Sequence, residues 1–222
     1  MLRYFKQLKL FFLVFALVSS IIIYFIYSAL DSEKPLPIYQ PNRIDASLVD
    51  STIQHKKKYH TIANFKLINQ NGDTITQDYY QDKIYVADFF FTTCQTICPI
   101  MTDQMHRIQE QIINDDEVML LSHSVTPEID SVAQLKRYAL EKGVNDTKWN
   151  LVTGDRKQIY DLARKSYLVV KHDGSEDYGM VHTENFALID KDKQIRGIYN
   201  GVSPTSIDSL LQDIKRLKKE YQ

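Results

Sequence analysis

Cysteine is nearly absent: the 222 residues hold two. That excludes a disulfide scaffold and a four-cysteine zinc site. Excess charge is missing too, with 27 basic against 28 acidic residues for a net charge of −1. Without a basic stripe interleaved with aromatics, there is no electrostatic case for nucleic acid. There is no internal repeat and no low-complexity tract. No Arg-rich, Ser-rich transit segment precedes the first apolar run, which favours a bacterial chain. No cysteine follows that run, which argues against a lipoprotein.

What is present centres on residues 88–101, Asp-Phe-Phe-Phe-Thr-Thr-Cys-Gln-Thr-Ile-Cys-Pro-Ile-Met. An apolar run leads into a turn that holds both cysteines, Cys94 and Cys98, and Pro99 follows at what should be the first position of a helix. The free amides and positive dipole end of that helix then face Cys98 and favour its thiolate.

Residues 10–30 carry no charge. As a helix they span roughly 30 Å, the thickness of a hydrocarbon core. Arg3, Lys6 and Lys9 precede them, so the expectation is a single-pass anchor with a short cytoplasmic tail (1–9) and everything after residue 30 outside the cytoplasmic membrane. A cleaved signal peptide is the alternative, but its apolar region is usually shorter. Residues 31–58, with Pro35, Pro37 and Pro41, read as an extended tether, and His55, Lys56, Lys57, Lys58 and His60 as a solvated basic cluster.

The domain proper is expected over 59–222. A β-hairpin turns at Asn71-Gly72-Asp73. Strands follow over 84–91, 118–125, 149–152, 184–189 and 195–199. Helical patterns run from the proline to about 113, from Thr126-Pro127-Glu128 to Gly143, over 159–167 and from Ser203-Pro204 onward. Alternating strand and helix with a late hairpin implies an α/β fold: a thioredoxin-like mixed sheet flanked by helices, with an N-terminal β-hairpin extension.

Four chemistries compete for the cysteines. A structural disulfide would close a loop of about five residues and stabilise by only about 2 kcal/mol. Thiol–disulfide exchange suits the fold, but the spacing is three residues rather than two and no proline precedes the strand at Thr183-Glu184. Metal binding suits two thiolates that can turn toward one ion, Cu(I) by softness, with zinc as a further option. Peroxidase-like nucleophilic chemistry has no additional feature. A third metal ligand would be a histidine. His106 lies too far along the helix, His172 sits in a polar loop, and His123 in Leu-Leu-Ser-His reads as a framework residue. His182 stands between the polar loop 170–181 and a strand, a junction that in a thioredoxin-like fold lies beside the cysteine turn.

From about residue 59 to the C-terminus the chain resembles the Sco/SenC family of copper proteins. The resemblance rests on Phe89-Phe90-Phe91-Thr92-Thr93-Cys94-Gln95-Thr96-Ile97-Cys98-Pro99, Ser124-Val125-Thr126-Pro127-Glu128, Val152-Thr153-Gly154 and Val181-His182-Thr183 followed by Phe186-Ala187-Leu188-Ile189-Asp190. The departures are Gln95, where proline is common, and Thr183, where serine is common. The resemblance implies copper ligation by Cys94, Cys98 and His182. It also implies a membrane-anchored metallochaperone that delivers copper to, or helps mature, the dinuclear copper site of cytochrome c oxidase. The expected partner is the copper-receiving subunit of that enzyme or another copper protein. The alternative is a thiol-disulfide reductase that keeps a copper protein's cysteines reduced.

Overall fold

The computed structural model of the chain describes residues 2–30, 34–170 and 183–222. The chain divides into two compact units, Met1–Pro35 and Leu36–Gln222.

In the first unit, α1 runs without a break over Leu2–Leu30. Its described side chains over 11–26 include exposed Phe11, Phe12, Phe15, Ile22 and Phe25. That stretch is shorter than the about 17–25 residues a span takes, and among the described residues no helix is long and apolar enough to cross a membrane. The single-pass anchor expected over 10–30 draws on positions outside it.

The second unit is built on a seven-stranded sheet. Its members are β1 (Lys66–Asn69), β2 (Thr74–Thr76), β3 (Ile84–Phe90), β4 (Val118–Ser124), β5 (Trp149–Thr153), β6 (Asn185–Ile189) and β7 (Ile195–Asn200). The order is β2-β1-β5-β4-β3-β6-β7. β3, β4 and β5 are parallel neighbours, while β1 and β6 join the sheet antiparallel. β3 and β4 are buried along their whole length, as strands covered on both faces must be. The expected N-terminal hairpin is β1–β2, with Gly72 at φ +86° in its turn, a conformation that glycine adopts without strain.

Each sheet face has its own core. Ile84, Val86 and Phe90 pack with Met101 and Met105 of α2 (Ile97–Ile112), Leu135 of α3 (Val132–Glu141) and Ile207 and Leu210 of α5 (Pro204–Lys219). Tyr85, Ala87 and Phe89 pack with Ile159 and Tyr160 of α4 (Arg156–Asp161) and with Val49, Ile62 and Phe65. Helices therefore cover both faces, as expected.

Three boundaries differ from the sequence reading. Pro99 is the third residue of α2, not the first; its missing N–H still has no helical partner there. The helix expected from Thr126-Pro127-Glu128 begins only at Val132, capped by the Ser131 side chain on the Gln134 N–H. Residues 36–58 do not stand off as a tether. Leu36 and Val49 are buried, the Tyr39 N–H donates to the Ile195 carbonyl, and Arg196 donates to the carbonyls of Leu36 and Pro37. The prolines suggested an extended chain, but the segment turns through short 3-10 helices at Pro41–Arg43 and Ala46–Leu48, and Leu36 and Val49 join the cores on the sheet.

Candidate metal centre

The buried strand β3 delivers the chain to the turn, where the Cys94 N–H donates to the Phe91 carbonyl (3.3 Å). Thr96 precedes α2 with φ −111° and ψ −89°, and its side chain caps nothing. The first amides of a helix need acceptors. Here the Cys98 N–H donates to the Cys94 sulfur (3.5 Å), and the Thr96 hydroxyl lies 3.6 Å from the same sulfur. Cys94 thus takes over the capping that Thr96 does not perform.

This reverses the expectation about which thiol ionises. Cys94 is partly exposed and Cys98 is 3% exposed. Burial opposes ionisation of Cys94, but donors from the Cys98 thiol, the Thr96 and Cys98 amides and the Thr96 hydroxyl outweigh it and lower its pKa to about 7. Burial, reinforced by Cys94 and by the carboxyl of Asp88, pushes Cys98 up to about 12. The second residue of a helix sends its amide back toward the preceding turn, while the Cys98 side chain enters the core with Phe90 and Met101. The helix end acts on the cysteine outside it.

Beneath the site, Asp88 is buried in β3, and desolvation raises its pKa to about 7. On the other face, His123 is fully buried. Its Nδ1 lies 3.2 Å from the Asp88 carbonyl oxygen, so that nitrogen carries the proton, and its Nε2 has no partner among the described residues. The ring stacks on Phe89 with centroids 4.7 Å apart. Burial drops its pKa to about 4, and it is the framework residue expected. His60 is a correction. It is buried, not solvated, with Nε2 2.7 Å from the Ser166 carbonyl oxygen, and burial lowers its pKa. His55 is exposed, and His106 sits partly exposed on α2.

Among the described residues no three His, Cys, Asp or Glu side chains form a group that could hold a metal. His172 and His182, with the rest of 171–181, lie outside those residues. The neighbour of His182 does not. β6 pairs with β3 as Ile189 with Tyr85, Leu188 with Val86 and Ala187 with Ala87. The pair is antiparallel, so the start of β6 lies at the end of the sheet where β3 runs on into the cysteine turn. Thr183 is fixed there by its hydroxyl on the Val169 carbonyl (2.5 Å), and the Asn185 N–H donates to its oxygen (3.1 Å).

The donor set fits a soft ion. Both cysteines are free thiols on one turn. One is ionised near neutral pH and reachable, and the other would lose its proton to a metal, as thiol ligands do.

Sequence reasoning passed over Asp130. It is fully buried and its carboxylate accepts hydrogen bonds from the Thr92 N–H and hydroxyl (3.2 and 2.6 Å), the Ser124 hydroxyl (2.6 Å) and the Thr126 hydroxyl (3.1 Å). No local pattern marks it, since the cap of α3 is its neighbour Ser131.

The sequence model of the SCO1/SenC family matches residues 53–219. The SCO1 protein homolog of Bacillus subtilis (strain 168) is 33% identical over 159 residues, 70% of this chain and 82% of that protein. The solved structure of BsSco, a member of the Sco family of cytochrome c oxidase assembly proteins, has a TM-score of 0.61 and 32% identity over 71% of this chain and 93% of its own. Copper-bound ScoI of Bradyrhizobium japonicum has a TM-score of 0.57 and 26% identity over 72% of this chain and 99% of its own. A family match over most of the residues, joined to a thioredoxin-like sheet that opens onto a cysteine turn, places this chain in the SCO1/SenC family.

Proposed function

We propose that the chain is a membrane-anchored copper metallochaperone that binds one copper through Cys94, Cys98 and His182 and helps to mature the dinuclear copper site of cytochrome c oxidase. The observation that carries this reading is the cysteine pair: two free thiols on one turn, the outer one ionised near pH 7. The start of β6 at the end of the sheet where β3 enters the cysteine turn supports His182 as the third ligand. A three-ligand site leaves a position open through which a partner's thiolates can take the ion. Copper in the Bradyrhizobium relative and the assembly role of BsSco support the metal and the pathway. The exposed phenylalanines of α1 and the uncharged run 10–30 support anchorage, with the second unit outside the cytoplasmic membrane.

The test is the copper-to-protein ratio of the full chain, with the spectrum of its oxidised form. One copper per chain and a thiolate-to-Cu(II) band are expected, with affinity lost in His182→Ala. Unchanged affinity in that variant rejects the three-ligand site.

One observation favours the second reading, a thiol-disulfide reductase acting on a copper protein's cysteines. The reachable thiol is the acidic one and the buried thiol the basic one, as attack by Cys94 and resolution by Cys98 require. Reductase activity that survives His182→Ala decides for it.

A further inference from the structure

Asp130 is a buried carboxylate whose hydrogen bonds go to two different places. Two come from Thr92, two residues before Cys94, where β3 enters the turn. The others come from Ser124 and Thr126, at the end of β4 and the loop beyond. The Thr92 hydroxyl, which donates to Asp130, accepts in turn from the Gln134 side chain of α3 (3.0 Å). The Val125 N–H donates to the Phe90 carbonyl (2.9 Å), which extends the β3–β4 ladder to the same point. An ionised acceptor forms stronger hydrogen bonds than a neutral one, and its cost of burial is met only when its lone pairs are filled. The carboxylate therefore holds Thr92 against β4 and α3, and with it the start of the turn that sets how far Cys94 stands from Cys98.

We propose that Asp130 is a positioning residue for the cysteine pair, acting through Thr92 to fix the separation of the two sulfurs before any metal or disulfide forms. The inference deepens the metal-site reading and in part rests on it. Sulfur separation, however, also sets how readily the pair closes to a disulfide, so it can be read without copper.

The experiment compares two variants of the full chain in detergent that each remove one hydroxyl from Asp130: Thr92→Val on the turn side and Ser124→Ala on the β4 side. Each is measured for thermal unfolding, for Cu(I) affinity by chelator competition, and for equilibrium with glutathione. In that equilibrium the two thiols give two electrons and two protons to glutathione disulfide, which leaves as two glutathione thiols. The expected result is a weakening of Cu(I) binding by about tenfold and a several-fold shift of the glutathione equilibrium in Thr92→Val, with both near the parent values in Ser124→Ala. Thr92→Ser, which restores the hydroxyl, should recover the parent behaviour. If the two variants move both readouts equally, or neither readout moves, the role of Asp130 is structural only and the proposal falls. If the parent takes up no copper but the glutathione readout still separates the variants, the copper reading falls and the positioning role stands.

Discussion

At the scale of single residues, the site works through unequal environments imposed on equal side chains. Cys94 has amides and a hydroxyl around it, and Cys98 has core. Brief iodoacetamide pulses followed by peptide mapping should therefore modify Cys94 with a midpoint near pH 7 and leave Cys98 largely unmodified. Equal labelling of the two would contradict the geometry. Below them, two buried titratable groups pull stability in opposite directions. Folded His123 stays neutral down to about pH 4, whereas a free histidine protonates near pH 6.5. The unfolded chain binds the extra proton between these values, so this contribution is complete above pH 6.5 and is lost as pH falls to about 4. Folded Asp88 keeps its proton up to about pH 7 against 3.8 for a free carboxyl. Its contribution is complete below about pH 4 and is lost as pH rises through 7. Asp88→Asn removes the second slope and leaves the first. Between pH 7 and 4.5 the variant should lose about 2–3 kcal/mol more than the parent in urea unfolding; parallel curves would mean that Asp88 is ionised in the fold.

At the scale of elements, the β6–β7 pair matters because β6 starts at the end of the sheet where β3 runs into the cysteine turn. Gly201 closes that pair, with its N–H on the Glu184 carbonyl (2.6 Å). A Cβ there would stand 2.5 Å from the Phe186 ring and 2.9 Å from the Glu184 carbonyl oxygen. Gly201→Ala should cost about 1–3 kcal/mol, read as a lowered unfolding midpoint; an unchanged midpoint would show that the hairpin end yields freely. The order and type of these elements were legible beforehand, because period-two and helical apolar patterns are local. Helix starts were less so. Thr126-Pro127-Glu128 has the composition of an N-terminus, but Thr126 and its neighbours serve Asp130 instead, and α3 waits for Ser131. The cap belongs to whichever residue tertiary contacts leave free to perform it.

At the scale of the molecule, residues 36–58 are part of the domain. Arg196 is buried against Asp190 and Glu220 and donates to the Leu36 and Pro37 carbonyls, which ties this segment to β7 and the end of α5. A fragment starting at residue 36 should unfold cooperatively near the parent's midpoint. One starting at residue 59 should be strongly destabilised, because it uncovers the surface that Leu36 and Val49 cover; equal midpoints would restore the tether. The amino-acid sequence by itself determined the element order, the mixed sheet, the cysteine turn and the family, since these rest on patterns within a few residues of one another. Only the tertiary structure decided which cysteine is acidic, that His60 is buried, that Asp130 grips Thr92 and that residues 36–58 pack on the sheet. Each of these depends on burial and on partners brought in from distant parts of the chain, and no local pattern encodes the desolvation or the donors that such partners supply.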